Sequence, residues 1–391
     1  MIGVRLSVNK GSFVRSWQLA QTSIKSTPTI TALGCVKCCA EDNSVTLMST
    51  DLKTSVTCLA QGAVISEEGE AILPARIVGE LIKKLPDSQF VLNVEDGKGY
   101  IETGRSRYTF VTYPPEDFPV LPTSKTAKPL CALPIKDMIR LLKEGTFSGS
   151  PSEEFPQYLS AASIKVNGDK IETATTDIRR LSISSVLLEE KPDDVASIVL
   201  PIKGLKDLER LLGSMDDAEL LHISYDNSQA YFSMPGVEFT VRCVDITFPP
   251  YEKMISPDYS TWMTVDRIAL EGALDRASVM VRNYGWMVVL DLEPEGELVV
   301  RGVAPDVGEA VESLDADIGG EKLRIIFNVR YFLDGLQALG SDKAFITFCG
   351  PSGQMNLLRP KDDTFRYLLM PITLQEGEAQ SLGATSREDV M

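Results

Sequence analysis

Few residues of this chain are equipped for chemistry. Among 391 residues there is one histidine, His222, set in the strand-like run Leu220-Leu-His-Ile-Ser-Tyr-Asp226. A single imidazole confines any histidine base to that position and denies a metal two histidine ligands. In an apolar strand it reads as a structural residue and receives no role. Cys35-Val-Lys-Cys38-Cys39 has the look of half a zinc knuckle, but no second pair completes it. Its surroundings read as a strand, where positions three apart face opposite sides, so these thiols are expected to be buried apolar groups. Seven cysteines, an odd number, argue against a disulfide framework. The acid pairs Asp193-Asp194, Asp216-Asp217 and Asp362-Asp363 each fall in an expected turn, where solvated Asp is common. There is no G-x-x-x-x-G-K-[ST] phosphate loop, no G-x-S-x-G elbow and no H-E-x-x-H helix. The expectation is a protein without catalysis, metal or cofactor.

What remains is charge. The chain carries 39 Lys and Arg against 55 Asp and Glu, a net of −16. Even so, Arg76, Lys83, Lys84, Lys136, Arg140, Lys143, Lys203, Lys206, Arg210 and Arg330 gather on a few helical segments. A basic stripe on an acidic body attracts phosphate without reading base sequence. Ordinary solvated helix faces are an equal reading, because Glu80, Asp207 and Glu209 share those segments.

The elements that position these bases recur. Pro74-Ala-Arg-Ile-Val-Gly-Glu-Leu-Ile-Lys-Lys-Leu-Pro86 has the apolar spacing of an amphipathic helix, with proline at its start where a missing N–H costs nothing. The segments starting at Pro201 and Asn328 repeat that design, each start 127 residues after the last. After each helix come a β-rich run, a tight turn and a second run ending in an aromatic or Met followed by Pro. Upstream of each lies another helix, over 9–23, 134–145 and 265–281, with strand pairs at 44–57, 170–183 and 297–311. Thr50-Asp51 recurs as Thr176-Asp177, which marks the Asp as a turn residue. The chain thus consists of helix, strands, helix, strands, three times over, with domains at 1–126, 127–257 and 258–375. The last stretch, 376–391, is expected to be a flexible acidic tail. No apolar run approaches the roughly 18 residues a membrane helix needs, and the start lacks a secretory layout. A cytoplasmic protein without a membrane partner is expected.

The repeated motifs carry a resemblance. ILPARIVGELIKKLPD, ETGRSRYTF, EDFPVLP, TATTDIRRLSI, TFPPYEKMI, FNVRYFLDGLQAL and YLLMPITL occur in the order and spacing of the bacterial DNA polymerase III beta subunit family, the sliding clamps, over about residues 1–375. The resemblance implies an α+β fold of three similar clamp domains per chain. Two chains would close head to tail into a six-domain ring with inner helices and outer antiparallel sheets. It implies encircled double-stranded DNA, held without sequence preference, and a processivity role with no chemistry of its own. The replicative polymerase and the clamp loader would bind through short peptides.

Carried over motif by motif, the resemblance assigns DNA contact to Lys25, Arg76 and Lys203. A partner-peptide pocket would use Val166, Thr176, Arg180, Leu181, Pro249, Met254, Asn328 and Tyr331. The closing segment would add Leu368, Leu369, Met370, Pro371 and Ile372. For Leu181 and Leu369 taken alone, plain core is the simpler reading. The dimer contact would join Tyr108 and Phe110 to Val279 and Met280 of a second copy. Two departures stand out: Ile178-Arg179 replaces a common Gly-His, and Ile372-Thr373 replaces a common Met-Arg. A clamp-like paralogue that scaffolds proteins without loading on DNA is the competing expectation.

Overall fold

The computed structural model describes residues 3–25, 27–28, 30–150, 152, 155–192, 195–294 and 296–373. The Asp193-Asp194 pair and the acidic tail expected at 376–391 lie outside the described residues. Six α-helices run through it: α1 Lys10–Ala20, α2 Ala75–Lys84, α3 Ile135–Gly145, α4 Ile202–Leu212, α5 Arg267–Val281 and α6 Val329–Leu339. The rest of the regular structure among the described residues is antiparallel strand and short 3-10 turns. α2, α4 and α6 open directly after Pro74, Pro201 and Asn328, so the 127-residue spacing survives intact. Pro74 and Pro201 sit at φ −62° and −65°, the value their rings impose. Asn328 starts α6 by another device, its Oδ1 accepting from Arg330 N at 3.0 Å and Tyr331 N at 3.4 Å. Each helix buries one stripe: Val78 and Ile82 in α2, Leu205, Leu208 and Leu212 in α4, Phe332, Leu336 and Leu339 in α6. The helix expected at 9–23 ends as α at Ala20 and tightens into a 3-10 turn, Gln21–Ser23. The strand expected to finish at 311 runs on to Gly320.

The chain forms two compact units. The first comprises residues up to Ile139 together with Val166–Asp169 and Leu188–Asp245. It holds a sheet in the order Ala63–Glu67, Val4–Asn9, Gln89–Glu95, Lys98–Thr103, Ser106–Val111. A second sheet runs Lys128–Pro134, Leu220–Tyr225, Gln229–Met234, Val237–Arg242, Thr54–Leu59, Ser44–Thr50, Cys35–Glu41, Gly69–Pro74. Sequence neighbours pair as hairpins, but the Val237–Arg242 to Thr54–Leu59 pairing joins two repeats into one ladder. α1 and α2 approach closely because Gly79 faces Trp17: a Cβ there would lie 2.8 Å from the indole nitrogen. That indole and the Gln21 amide both donate to Ala75 O, at 3.2 and 2.8 Å, satisfying a carbonyl at the helix start.

The second unit comprises Arg140–Lys165, Lys170–Leu187 and the chain from Ile246 onward. Its strands run Lys170–Thr176, Arg180–Leu187, Asp362–Leu369, Met355–Arg359, Lys343–Phe348, Thr261–Asp266, Gly308–Gly320, Glu297–Ala304, Met287–Glu293, Leu323–Asn328. α5 and α6 cover an apolar core that includes Leu270, Leu274, Phe327, Phe332, Phe348 and Tyr367. A charged cluster is buried beside it. Glu144, 8 % exposed at the side chain, meets Arg359 and accepts from Ser184 Oγ at 2.8 Å. Arg140 lies 3.7 Å from the same carboxylate and donates to Ser185 O at 3.4 Å. Arg140 therefore belongs to an internal ion cluster, which removes it from the basic stripe read in the sequence.

The scarce chemical groups also find their places. Cys35, Cys38, Cys39 and Cys58 are buried free thiols, and burial pushes Cys38 and Cys58 up to about 12. Among the described residues no group of three or more His, Cys, Asp or Glu is arranged to hold a metal ion. His222 sits in its strand opposite Ala132 and Ser233 but is exposed, so it faces water rather than an apolar interior. Asp216 caps a turn, accepting from Ala218 N at 3.0 Å. Asp362 opens a strand instead of lying in a turn, and accepts from Thr364 N at 2.8 Å. Among the described residues no helix is long and apolar enough to cross a membrane.

Candidate functional site

The repeat places a base and an acid at matching points of three helices. Arg76, Lys203 and Arg330 each stand one residue past the helix start, and all three are exposed. Four residues on, one turn further, come Glu80, Asp207 and Asp334. Arg76 Nε lies 3.0 Å from Glu80 Oε1, and its side chain is 90 % exposed, so it is available to an incoming anion. The Arg330 guanidinium stands 5.0 Å from the Trp286 ring centroid.

Lys25 is also exposed but is not alone: its Nζ is 3.1 Å from Asp51 Oδ2. Asp51 belongs to the tight turn that closes the Ser44–Thr50 and Thr54–Leu59 hairpin, accepting from Lys53 N at 3.0 Å and Thr54 N at 2.7 Å. Burial works against that carboxylate, but the Thr54 N–H and Lys25 outweigh it and hold it below the usual carboxylate range. Asp207 behaves oppositely. Burial raises it, Asp51 adds to the rise, and Arg210, Lys203 and Lys25 only partly oppose. The structure thus brings Lys25, Lys203, Asp51 and Asp207 into one electrostatic neighbourhood, while Arg76 stands with Glu80. Asp51 was legible in sequence only as a turn residue; its pairing with Lys25 was not.

The second cluster is built on the matching turn, between the Lys170–Thr176 and Arg180–Leu187 strands. Asp177 Oδ1 accepts from Arg179 N at 3.1 Å and Arg180 N at 3.0 Å. Thr176 Oγ1 donates to Arg180 O at 2.7 Å and accepts from Ile178 N at 3.0 Å. Ile178 is thereby held at φ +76°, a left-handed conformation that costs a β-branched residue about 1–3 kcal/mol. Arg180 is 11 % exposed and meets Asp177 at 2.9 Å and Asp334 at 2.6 Å. Its guanidinium stacks on Tyr331 at 4.2 Å from the ring centroid. Burial would lower its pKa, but Tyr367, Asp334 and Asp177 raise it above the ordinary value, so the charge is fixed. Tyr331 is held in turn, because Tyr367 Oη donates to its carbonyl at 2.7 Å.

The closing segment joins this cluster through its backbone. Met370 N donates to Arg179 O at 2.9 Å, and Ile372 N to Ile326 O at 2.8 Å. The residues assigned to a pocket then divide by exposure. Thr176, Leu181, Leu368 and Leu369 are buried, as is Val166, which falls in the first unit. Pro249, Asn328, Tyr331, Pro371 and Ile372 are half-buried. Met254 at 49 % and Met370 at 45 % are the exposed apolar side chains of the set. Sequence reasoning missed Asp334; its signal was the shared helix position of Asp207 and Asp334, 127 residues apart.

The third group concerns edges. Ser106–Val111 is the outermost strand of its sheet, and Tyr108 is half-buried on it. Phe110, however, is 7 % exposed and covers Gly99, its cross-strand partner, where a Cβ would fall 2.2 Å from the ring. Phe110 is thus packed within its own chain, while Tyr108 keeps part of its surface and Val111 is 65 % exposed on the same strand. Val279 is 57 % exposed near the end of α5, whereas Met280 is half-buried against the core.

Comparison with known proteins follows the repeat. Three family models match in succession: the DNA polymerase III beta subunit N-terminal domain over residues 4–122, its central domain over 132–250 and its C-terminal domain over 253–373. The chain is 28 % identical over 382 residues to the beta sliding clamp of Synechocystis sp., covering 91 % of this chain and 96 % of that one. The crystal structure of the Bacillus subtilis DNA polymerase sliding clamp superposes with a TM-score of 0.90 at 26 % identity, over 95 % of this chain and all of that one. A Pseudomonas aeruginosa sliding clamp bound to griselimycin gives a TM-score of 0.89 at 25 % identity, with 95 % of this chain and 100 % of that one covered.

Proposed function

Because the chain belongs to the DNA polymerase III beta subunit family, the sliding clamps, we propose that its sites divide into a DNA-facing set, a peptide-binding set and a dimer edge. The protein is a non-catalytic processivity factor: it tethers a polymerase to DNA rather than acting on it. Two copies closing head to tail would give a ring of six domains, with duplex DNA enclosed and double helix sequence irrelevant. The observation that carries the DNA-facing set is the recurrence of an exposed base, Arg76, Lys203 and Arg330, at one register of three helices. Bases repeated at fixed register can face one phosphate-bearing polymer from all domains, and an enclosed polymer needs no tight binding. Lys25 joins them by exchanging Asp51 for a phosphate oxygen.

The peptide-binding set centres on Arg180 stacked on Tyr331, with Met254 and Met370 as exposed apolar groups. Flexible thioethers adapt to several short anchors in turn, which suits a tether shared by the replicative polymerase, the clamp loader and other replication or repair proteins. The dimer edge is Ser106–Val111, meeting the Val279 end of α5 in a second copy. The site of action is the cytoplasm. The family match over three successive domains favours this reading over a scaffold that never loads on DNA.

The test is retention on circular against linearised plasmid after loading by a clamp loader, at moderate and high salt. Topological enclosure gives salt-resistant retention on circles and loss through linear ends. Equal, salt-sensitive binding to both would mean surface electrostatics alone.

A further inference from the structure

We infer that the loop after α5 and the start of α6 form a stacking site for an unpaired base of single-stranded DNA, built from Arg282, Trp286 and Arg330. The inference rests on the reading of Arg330 as a DNA-facing base and adds to it a ligand that an enclosed duplex does not present. Trp286 stands at φ +59° in the loop between α5 and Met287, a left-handed conformation that a bulky side chain keeps only where its surroundings over-determine it. Here the backbone does so. Trp286 N donates to Val281 O at 3.1 Å, and Trp286 O accepts from Val329 N, at the start of α6, at 2.8 Å. The indole is half-buried and packs in part on the core of its unit. It is a ring held in place at a helix start.

Two cations gather on that ring. The Arg330 guanidinium stands 5.0 Å from its centroid and the Arg282 guanidinium 5.9 Å, and both residues are exposed. Among the described residues neither makes an ion pair. For Arg330 the repeat explains why. In the first repeat the acid one turn on, Glu80, takes Arg76 at 3.0 Å. In the third that acid is Asp334, which meets Arg180 at 2.6 Å instead. Asp306, a carboxylate that the loop does reach, accepts from Tyr284 Oη at 3.2 Å. Two like charges thus share one ring on a chain of net charge −16, and phosphate relieves both. Phosphate contact alone needs no ring: among the described residues neither Arg76 nor Lys203 stands over one. Bases in a duplex hide their faces in the stack. An unpaired base offers its π face to guanidinium and indole while its phosphates neutralise the charge.

The experiment uses the full-length chain and two fluorescein-labelled probes of equal length, a single strand of thymidines and the same backbone without bases. Fluorescence anisotropy reads the affinities, and gel filtration reads the oligomeric state. The unaltered chain is expected to bind the thymidine strand about tenfold more tightly than the abasic one, the contribution of one stacked base. Trp286→Leu removes that preference and leaves abasic binding unchanged. Arg282→Lys keeps the charge but loses the plane, and does the same. Being an exposed change, it carries the test even where Trp286→Leu fails to fold. Equal binding of the two probes by the unaltered chain means phosphate attraction alone; it overturns the inference and leaves the DNA-facing reading standing. A preference that survives Arg282→Lys places the stacking elsewhere and overturns it too. A preference lost only with a change of elution volume makes these residues part of the dimer edge, which also overturns it. Failure of both probes to bind overturns the inference and removes Arg330 from the DNA-facing set. Retention on circular plasmid, which needs enclosure rather than affinity, then decides the clamp reading by itself.

Discussion

Two junctions of the molecule share one backbone bonding pattern and differ in the side chains it carries. In the first unit, Asp51 closes the turn from Thr50 to Thr54, with Leu52 at φ +71° and Arg242 N donating to Lys53 O at 2.8 Å. In the second, Asp177 closes the turn from Thr176 to Arg180, with Ile178 at φ +76° and Met370 N donating to Arg179 O at 2.9 Å. Even the next bond repeats, Val244 N to Val199 O and Ile372 N to Ile326 O, both at 2.8 Å. Where the first has Thr54, Gly204, Arg242 and Cys243, the second has Arg180, Tyr331, Met370 and Pro371. At Gly204 a Cβ would fall 2.8 Å from Val241 Cγ1 and 3.4 Å from the Thr54 methyl, so the helix side of that junction is filled by aliphatic groups. At its counterpart a tyrosine ring carries a guanidinium. A backbone frame used twice carries packing in one place and the proposed recognition surface in the other, through the side chains set on it.

Exchanging the distinguishing residues breaks the comparison most strongly. Gly204→Tyr places the Tyr331 side chain where Val241 already stands, and overpacking of this kind costs about 3 kcal/mol. Chemical denaturation should show a lowered midpoint with the denaturant slope unchanged; a stability within experimental error would mean that the first junction has room for a ring. Arg180→Ala comes next. It strands the Asp177 and Asp334 carboxylates and uncovers Tyr331, an expected loss of about 2 kcal/mol because Asp334 is partly solvated. Peptide binding should fall with it, read by fluorescence anisotropy of a labelled partner peptide.

Smaller effects sharpen the comparison on the first junction's side. Lys25→Ala should change stability by less than about 1 kcal/mol, since an exposed pair with Asp51 is all that is lost. The salt dependence of DNA association should decline by about one unit of log–log slope. An unchanged slope would remove Lys25 from the DNA-facing set. Asp207→Asn has the smallest expected effect and its sign follows from linkage. A raised folded-state pKa means that the native state takes up its proton first, so Asp207 favours the native state as pH falls from neutrality and opposes it as pH rises. Asp51, held low, contributes in the other sense: its share is present above the ordinary carboxylate pKa and is lost as pH falls through the lowered value. Asp207→Asn should therefore stabilise slightly at pH 7 and steepen the acid-side decline in a pH series of melting temperatures.

How much of this was legible follows from the range of each interaction. α2, α4 and α6 declared themselves through apolar spacing and a fixed interval, both local properties of sequence. The Asp turns were equally local, and Asp51 and Asp177 bond as a turn residue should. Strand order was not legible, because the pairing of Val237–Arg242 with Thr54–Leu59 joins segments far apart in the chain. For the same reason the Arg180–Asp334 pair was hidden, its members being 154 residues apart. Arg140 looked like one more base on a helix face until Glu144, Ser185 and Thr364 were seen around it. The glycine beneath Phe110 was hidden as well, because only strand register sets Gly99 opposite it.

The Phe110 ring folded over Gly99 bears on how a clamp survives before it is assembled. An unassembled subunit presents at Ser106–Val111 a strand whose aromatic side chain is already sheltered by its own neighbour. As the proposed dimer edge it would offer a second copy Tyr108, the exposed Val111 and a row of backbone donors and acceptors, which accepts a partner only in matching direction and register. An edge of that kind would discriminate by alignment as well as by apolar contact. A ring prised open at the proposed edge would then reseal by realigning one strand, without first having to free the Phe110 ring from its place over Gly99.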